Sequence, residues 1–309
     1  MRIMNFRKHI AVVFVALLIM FGCGTNTNID PIVDDYTIEV GTSQSLDIVT
    51  WNLYNFPAIN NSTVQALAFI IPQMKVDIFA FQEINNLGAL QTLAEALPNY
   101  EWCSTGFGGS MPQNLAFLYN TNTVTVNGAY TIFNNEYAFP RAPYVLDFTW
   151  SDQHCYVINN HLKAFGDNYI DETNIRDEEM RRRSACDKLD QYITQNLNNS
   201  KVIVVGDMND QIQEPMTTNV FRAFINKTDE YVFADMPIAQ NLNYNNASYP
   251  GSLSHLDHIL ITNELFDALR QSGFYTRTIQ IERSMGGMSN YKTQISDHRP
   301  VVIRLNFNN

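Results

Sequence analysis

Short hydrophobic segments recur along the chain from residue 46 to residue 307, and polar residues separate them. The segments are rich in Val, Ile, Phe and Tyr and are bounded by Asn, Asp, Gly or Pro, a pattern typical of β-strands. We therefore predict strands at Leu46–Trp51, Asp77–Phe81, Leu115–Tyr119, Tyr144–Trp150, Cys155–Ile158, Val202–Val205, Leu256–Ile261 and Val301–Phe307.

Three segments between these strands place apolar residues three or four apart, which is the spacing of an amphipathic helix. They are Thr63–Met74, Leu87–Leu97 and Asp177–Leu197. Many strands with a few outer helices indicate an α+β fold. The predicted architecture is a four-layer sandwich, in which two packed, mainly antiparallel β-sheets are flanked by helices.

The first residues have the pattern of an export signal. A basic start precedes an apolar run from Ile10 to Phe21, which is shorter than the roughly twenty residues of a membrane-spanning helix. Gly22 and Cys23 follow, and a small residue before a cysteine resembles the cleavage site of bacterial lipoproteins. We predict a signal peptide over residues 1–22, with Cys23 as the lipidated first residue; an ordinary secretory signal is the alternative.

This N-terminus predicts an exported protein that is anchored to a membrane and faces the periplasm or the outside of the cell. Residues 23–45 are polar and are expected to form a lipid-anchored tether, whereas residues 46–309 are expected to form a single domain. The sequence implies no protein partner, so we expect a monomer.

Net charge and cysteine content refine this picture. The formal net charge is −11, which argues against a broad basic face for duplex nucleic acid but allows a local basic groove. The cysteines of the predicted domain are Cys103, Cys155 and Cys186. Outside the cytoplasm they allow one disulfide and one free thiol, or three buried thiols, and the sequence leaves both open.

Polar residues capable of catalysis stand at the ends of most predicted strands. Some follow a strand and others precede or open one; they are Asn52, Glu83, His161, Asp207, Asp257, Asp297 and His298. In antiparallel neighbours the end of one strand lies beside the start of the next, so these residues are expected to gather on one rim of the sandwich. Because unpaired buried polar groups are costly, such a rim indicates a functional site.

Short motifs surround these residues. In order they are Thr50-Trp51-Asn52-Leu53, Gln82-Glu83-Ile84, Pro140-Arg141-Ala142-Pro143, Asn159-Asn160-His161-Leu162, Gly206-Asp207-Met208-Asn209-Asp210, Leu256-Asp257-His258-Ile259 and Ser296-Asp297-His298-Arg299-Pro300. In this order and spacing they resemble the endonuclease/exonuclease/phosphatase family, whose best-known branch is deoxyribonuclease-I-like. The resemblance covers about residues 46–307, and it implies the deoxyribonuclease-I-like sandwich and the hydrolysis of phosphate esters.

The resemblance also implies a divalent metal. Phosphodiester hydrolysis requires neutralised phosphate oxygens, an activated water and a stabilised transition state, and Mg²⁺ prefers hard oxygen ligands. The implied ligands are Glu83, Asn52 and Asp297, while Asp207 would orient the attacking water or bind the metal. Mg²⁺ is the expected cofactor, and Mn²⁺ or Ca²⁺ could replace it.

Two further residues are expected to activate the water. His298 is the candidate general base, because an imidazole titrates near neutral pH. The family places an acid beside this histidine, and Asp257 would fix its tautomer and raise its basicity. The neighbouring His258 is expected to point to the opposite face of its strand, away from the site.

Phosphate binding is assigned by the same resemblance to Asn209, His161 and Arg141, with Lys163 as a further candidate. His161 resembles a second catalytic histidine that contacts the scissile phosphate or protonates the leaving group. The chain departs from the pattern here, because Gln113-Asn114 stands where that branch has a glutamate. A neutral amide raises the pKa of a histidine less than a carboxylate does, so phosphate binding is the expected role.

The predicted function is a divalent-metal-dependent phosphodiester hydrolase, specifically an extracytoplasmic nuclease with nucleic acid as substrate. Within the same fold, the alternative is a lipid or inositol-phosphate phosphoesterase similar to sphingomyelinases. Such an enzyme should expose an aromatic hairpin to the membrane, for which Tyr244–Tyr249 and the loop Met285-Gly286-Gly287-Met288 are the candidates. A non-catalytic binding lipoprotein is the alternative of another class, which the intact set of catalytic residues disfavours.

Overall fold

The computed structural model describes residues 36–109 and 112–307. The predicted signal peptide and the predicted lipidation site, Cys23, lie outside these residues. In the two described ranges, no helix has the length and apolar character needed to cross a membrane. Residues 36–45 belong to the predicted tether, yet their backbone contacts the body, since the N–H groups of Val40 and Gly41 donate to the carbonyl of Met74 at 3.1 and 2.8 Å.

The described residues form twelve strands, seven helices and two short 3₁₀ helices. The strands are β1 (Leu46–Phe56), β2 (Ile78–Ile84), β3 (Tyr100–Ser104), β4 (Asn114–Asn120), β5 (Val124–Thr131), β6 (Tyr144–Trp150), β7 (Gln153–His161), β8 (Lys201–Asp207), β9 (Tyr231–Phe233), β10 (Asp257–Thr262), β11 (Tyr275–Thr278) and β12 (Val301–Leu305). The helices are α1 (Asn60–Met74), α2 (Leu87–Glu95), α3 (Glu178–Asn196), α4 (Arg222–Ile225), α5 (Met236–Gln240), α6 (Phe266–Leu269) and α7 (Met288–Gln294).

The strands form two six-stranded sheets. The first has the order β11-β12-β1-β2-β4-β3 and the second the order β5-β6-β7-β8-β10-β9. Each sheet contains one parallel pair, β1 with β2 and β7 with β8, and its other pairs are antiparallel. The predicted pair of mainly antiparallel sheets is confirmed.

The sheets pack face to face, and helices cover their outer faces. Along β1, Leu46 and Ile48 point into the core between the sheets, whereas Val49 and Trp51 point toward the helices. Helices α1, α2 and α7 cover the first sheet, and α3 and α4 cover the second. Both faces of the central strands are therefore buried, which explains why their sequences are nearly continuous hydrophobic runs.

Helix α3 shows how local sequence determines an element near the site. Asp177 precedes the helix, and its Oδ1 accepts a hydrogen bond from the N–H of Met180 at 2.7 Å, as an N-cap residue does. Ala185, Leu189 and Ile193 lie on the face that packs against the second sheet, as the apolar spacing predicted. The cap and the apolar face together fix where α3 begins and which side it buries.

The cysteines of the domain are free thiols. Cys155 and Cys186 are buried, and Cys103 is partly buried. Burial raises the pKa of Cys103 to about 11 and that of Cys155 to about 12, so both remain protonated at neutral pH. Of the two arrangements that the sequence left open, the structure has the three thiols.

Candidate active site

Strands from both sheets bring the predicted residues to one end of the sandwich. On β8, Asp207 is in register with His161 of the parallel strand β7 and with Asp257 of the antiparallel strand β10. In the first sheet, Asn52 lies in β1 and Glu83 in the parallel strand β2. The expected gathering of these side chains on one rim is thus a consequence of strand direction.

Both strands of the first sheet are distorted where they carry site residues. The register of β1 against β2 shifts between Asn52 and Phe56, and the register of β2 against β4 shifts between Phe81 and Ile84. Glu83 lies in the second irregularity with a φ of 61°. Positive φ is uncommon for a residue with a side chain and is enriched at functional sites. The irregularity is where the Glu83 carboxylate enters the cavity.

Asn52 connects two of the carboxylates. Its Nδ2 donates to Glu83 Oε1 at 3.1 Å and to Asp207 Oδ2 at 2.9 Å. Its Oδ1 accepts from the N–H of Tyr54 at 2.9 Å, which fixes the orientation of the amide. In this arrangement Asn52 contacts the carboxylates as a hydrogen-bond donor, whereas the predicted ligand role would require its oxygen to face the metal.

His298 and Asp257 form a buried dyad beside Asp207. The Nδ1 of His298 lies 2.8 Å from Asp257 Oδ2, and its Nε2 lies 3.8 Å from Asp207 Oδ2. Burial opposes the charged imidazole, but Asp257 and Asp207 outweigh it and raise the pKa of His298 to about 10. Burial raises the pKa of Asp207 to about 6. The charges of Asp257 and Asp207 therefore hold a proton on His298. A cation that offset these charges would lower the pKa of His298 toward that of a general base.

The dyad is supported by residues to which the sequence assigned no role. The hydroxyl of Ser248 accepts from the N–H of Asp257 at 3.1 Å, and the hydroxyl of Ser296 accepts from the N–H of His298 at 2.9 Å. The ring of Tyr249 lies 4.8 Å from the imidazole of His298, centroid to centroid. Ser296 stands in a recognisable motif, whereas Ser248 and Tyr249 carry no signal of their own.

His161 lies between two carboxylates but bonds to neither. Its Nε2 is 3.8 Å from Glu83 and 3.6 Å from Asp207, and its buried Nδ1 has no hydrogen-bond partner among the described residues. Burial, together with the positive charges of Arg141 and His298, lowers the pKa of His161 well below its ordinary value. A neutral imidazole can donate a hydrogen bond to a phosphate oxygen, but it is a poor proton donor to a leaving group.

Gln113 and Asn114, at the start of β4, do not orient His161. Gln113 hydrogen-bonds with Asn55 and Asn85, and Asn114 hydrogen-bonds within its own sheet and the adjoining loop. The residues that replace the family's glutamate in the sequence therefore make no hydrogen bond to His161 in the structure. This leaves the Nδ1 of His161 without an acidic partner that would raise the pKa of the imidazole.

The residues predicted to bind phosphate differ in their position relative to the catalytic acids. Asn209 lines the cavity and donates from Nδ2 to the carbonyl of Leu162 at 3.2 Å. Arg141 lies close enough to the catalytic acids for their charges to act on its pKa, although burial lowers that pKa overall. Lys163 donates to the carbonyl of Ala164 at 2.6 Å and lies 3.4 Å from Glu178, so it contacts the loop rather than the catalytic acids.

The site has a donor set suited to a hard divalent cation. Glu83, Asp207 and Asp297 line the same cavity. Asp207 also lies beside the dyad, since its carboxylate, that of Asp257 and a nitrogen of His298 are within 4.8 Å of one another. The buried Oδ1 of Asp297 has no hydrogen-bond partner among the described residues, as expected of an oxygen that binds a metal. Glu83, Asp297 and Asp207 would hold the ion. When bound, it would neutralise phosphate oxygens and the charge that develops on them.

Glu83, His161, Asp207, Asp297 and His298 line a cavity of about 490 Å³. Its walls include Tyr54, Phe165 and Tyr249, and its floor holds the catalytic acids and histidines. A larger cavity, of about 800 Å³, lies at the opposite end of strands β1 and β6. Of the described residues that line the larger cavity, only Arg304 has an ionisable side chain, and it already pairs with Asp47. The smaller cavity is therefore the candidate active site.

A buried acid and histidine brace the loop that follows β8. The Nδ1 of His258 lies 2.6 Å from Asp235 Oδ2, and its Nε2 donates to the carbonyl of Asp210 at 2.8 Å. Asp235 also accepts from His255 at 3.0 Å. The expectation that His258 faces away from the catalytic centre is confirmed, since its ring packs on Phe221.

Comparison with known proteins identifies the family. A sequence profile of the endonuclease/exonuclease/phosphatase family matches residues 65–306. No protein of curated function matches at a significant level. Among solved structures, TDP2 from D. rerio, complexed with a single-strand DNA product, is similar with a TM-score of 0.64 at 14% identity, covering 85% of this chain and 99% of that chain.

Two bacterial structures have the same architecture. An endonuclease/exonuclease/phosphatase family protein from Bacteroides thetaiotaomicron has a TM-score of 0.59 at 17% identity, over 86% of this chain and 98% of that chain. A mannosyl-6-phosphatase from the same species has a TM-score of 0.54 at 18% identity, over 85% and 100%.

The chain belongs to the endonuclease/exonuclease/phosphatase family, and its fold is the deoxyribonuclease-I-like α+β sandwich. The predicted family and the predicted fold class are both confirmed. Family membership supports a hydrolase that acts on phosphate esters.

Proposed function

We propose that the protein is a divalent-metal-dependent phosphodiesterase that cleaves nucleic acid outside the cytoplasm. The observation that carries the proposed chemistry is the His298–Asp257 dyad, whose free nitrogen faces Asp207 at 3.8 Å. An imidazole held by a buried carboxylate and turned toward a second acid is suited to take a proton from water.

The catalytic roles follow from these contacts. With a cation bound beside Asp207, the pKa of His298 would fall and its Nε2 would release a proton to solvent. Nε2 would then accept the proton of the attacking water, because Asp257 engages Nδ1. Asp207 would orient that water, and Asn209 would donate a hydrogen bond to a phosphoryl oxygen. His161, neutral because of burial, would contact the phosphate as a hydrogen-bond donor, with Arg141 nearby as a positive charge.

The exposed aromatic side chains of the cavity favour nucleic acid as the substrate. Phe165 is 85% exposed and Tyr54 is 43% exposed, and both line the cavity. The ammonium group of Lys163 lies 5.5 Å from the centre of the Phe165 ring. Aromatic faces beside positive charge bind the bases and backbone of single strands, with about 1–3 kcal/mol per stacked base. Net acidity, in contrast, disfavours a long duplex.

The proposed location outside the cytoplasm rests on the sequence of the N-terminus. The apolar run from Ile10 to Phe21 and the following Gly22-Cys23 support export and lipidation. We accordingly propose that Cys23 anchors the catalytic domain to a membrane.

The proposal is tested with the purified protein and a panel of substrates. Single-stranded DNA, RNA, plasmid, phospholipids, inositol phosphates and mannose 6-phosphate would each be incubated with Mg²⁺, with and without chelator. His298→Ala should lose at least about 100-fold in kcat on the nucleic acid substrate. His154→Ala is the matched control, because His154 forms an exposed pair with Asp147 at 2.7 Å.

Either part of the proposal can fail separately. Equal activity of the two histidine variants would reject the mechanism. Cleavage of a lipid or sugar phosphate, with intact nucleic acids, would reject the substrate but leave the mechanism standing.

One observation favours a hydroxyl-rich phosphate ester as the second candidate substrate. Glu214 lines the cavity, and burial together with Asp210 raises its pKa to about 7. A carboxyl that is partly protonated at neutral pH can donate to and accept from sugar or inositol hydroxyls. The mannosyl-6-phosphatase among the similar structures has this fold. The substrate panel above separates the two candidates.

A further inference from the structure

The loop between β7 and α3 and the start of α3 carry a second group of acidic side chains. A carboxylate oxygen from each of Asp167, Asp177 and Glu179 lies within 4.8 Å of the others. None of the three lines the catalytic cavity, although Gly166 and Asn168 do. The group is therefore behind the cavity wall and separate from the catalytic acids.

Backbone amides orient each of these carboxylates. Asp167 accepts from the N–H of Tyr169 at 3.1 Å, Asp177 from that of Met180 at 2.7 Å, and Glu179 from that of Asn168 at 2.7 Å. One oxygen of each carboxylate is thus engaged, and the other is available. Three negative charges this close repel one another unless a cation lies between them.

Glu179 gives an independent reason to expect a ligand. The residue is 1% exposed, and its Oε2 has no hydrogen-bond partner among the described residues. A buried carboxylate oxygen without a partner is rare and costly. Arg182 lies 3.4 Å from the other oxygen but is engaged more closely by Asp210, at 2.7 Å. The Arg182 charge is therefore shared and leaves the cluster negative.

The surrounding loop is built around the Glu179 carboxylate. Gly166 has a φ of 129°, and a Cβ at this position would lie 2.1 Å from Glu179 Oε1. Only glycine allows the loop to approach this closely. The carbonyl of the preceding Phe165 accepts from Arg182 at 2.6 Å. The loop is therefore held against α3 by the close approach of Gly166 to Glu179 and by the hydrogen bond from Arg182 to Phe165.

We propose that Asp167, Asp177 and Glu179 bind Ca²⁺ at a site separate from the catalytic metal. Their oxygens lie within 4.8 Å of one another, which is close enough for one Ca²⁺ to contact all three at about 2.3–2.6 Å. Ca²⁺ accepts irregular sets of carboxylate and carbonyl oxygens, whereas Mg²⁺ requires a near-ideal octahedron. Bound Ca²⁺ would fix the loop that presents Phe165 and Asn168 to the catalytic cavity.

The test measures Ca²⁺ binding through thermal stability of the full chain, in a Glu83→Gln background that weakens the catalytic metal site. Ca²⁺ at about 100-fold above its Kd should raise Tm by roughly 5–10 °C. Adding Asp167→Asn and Asp177→Asn should abolish this rise. Asn at position 177 still caps α3, and position 167 is exposed, so the variant should fold.

Asp171→Asn is the matched control, since Asp171 lies in the same loop outside the cluster and its side-chain oxygen accepts from Thr173. Retained stabilisation in this control, with loss in the double substitution, would support the site. Three results would overturn it: no Ca²⁺ response in the Glu83→Gln protein, a full response in the double substitution, or loss of the response in the Asp171→Asn control. An equal response to Mg²⁺ would overturn the assignment of the ion. Activity is not part of this readout, so the test is independent of the proposed substrate.

Discussion

At the scale of single residues, the charge of Asp257 determines the state of His298. The carboxylate is fully buried and lies 2.8 Å from the imidazole. In Asp257→Asn an amide N–H can donate to Nδ1 of His298, which leaves the ring proton on Nε2, where it prevents His298 from accepting a proton from water. We expect kcat to fall by at least about 100-fold with little change in KM, measured by steady-state kinetics on the substrate that the panel identifies.

Asp147→Asn is the control for this prediction, because Asp147 contacts the exposed His154 at the same kind of distance, 2.7 Å. The control should retain kcat within about 3-fold, since an exposed pair contributes little. If Asp257→Asn behaved like this control, His298 would not act through Asp257.

The buried pair of Asp235 and His258 predicts a pH dependence of stability. Burial alone would raise the pKa of Asp235, but His258 and His255 lower it well below its ordinary value. Burial alone would lower the pKa of His258, but Asp235 raises it. The contribution of Asp235 to the free energy of unfolding is complete above about pH 4, and it is lost as the pH falls through the lowered pKa of Asp235. The contribution of His258 is complete below about pH 6.5, and it is lost as the pH rises through the raised pKa of His258.

The pair should therefore stabilise the fold most between about pH 4 and pH 6.5. Asp235→Asn leaves a buried imidazolium without its counter-ion and should lower the free energy of unfolding by about 3 kcal/mol in that window. Urea unfolding of the two proteins at several pH values measures the difference. A difference that stayed constant from pH 5 to pH 10 would show that the pair is not charged.

The sequence predicts which residues form the site better than it predicts their contacts. Asn52 and Asp257 are recognisable from motifs and reach the expected rim. The orientation of Asn52, however, depends on the N–H of Tyr54, and Asp257 is held by Ser248. Such contacts come from backbone geometry and from loops, which hydrophobic periodicity does not describe.

At the scale of elements, the strands that the sequence predicted are those that are buried in the structure. Central strands such as β8 are buried on both faces and read as continuous apolar runs. The strands β3, β5, β9 and β11 were missed, because they are short or half-exposed edge-region strands, and α4–α7 were missed because they have four to seven residues. The missed elements carry few residues of the site, so the chemistry was still predictable.

The parallel pair of β7 and β8 depends on one glycine. Gly206 precedes Asp207 with a φ of 142°, and a Cβ there would lie 2.0 Å from the carbonyl oxygen of Asn160. Gly206→Ala should force the strands apart and lower the free energy of unfolding by at least about 2 kcal/mol. Because Asp207 and His161 are in register on these strands, kcat should fall as well.

Gly128→Ala in β5 is the matched control for this substitution. A Cβ at Gly128 meets no atom within 4 Å. Urea unfolding and kcat of the two variants would be measured together, and the control should be nearly unchanged. Equal stability of the two would mean that β7 and β8 can separate without cost.

At the scale of the whole molecule, the two sheets are tied together next to the site. Gln82 of the first sheet donates to Asn159 of the second at 2.7 Å, and Asn159 donates back to the carbonyl of Phe81 at 2.9 Å. These buried contacts join the strand that carries Glu83 to the strand that carries His161. Relative motion of the sheets would separate these two residues, so the sandwich itself positions the site.

The wall of the cavity, rather than its catalytic centre, should determine the substrate. Phe165 is 85% exposed on the wall, and the buried Arg182 fixes its backbone at 2.6 Å. Phe165→Ala removes one stacking surface and should raise KM for a single-stranded oligonucleotide about 10-fold, with little change for the same strand lacking bases. Phe69→Ala, at a 74% exposed position on α1, should change neither value. An equal rise in KM on both strands would mean that Phe165 contacts the sugar-phosphate backbone instead of the bases, and no rise on either would remove the main support for a nucleic acid substrate.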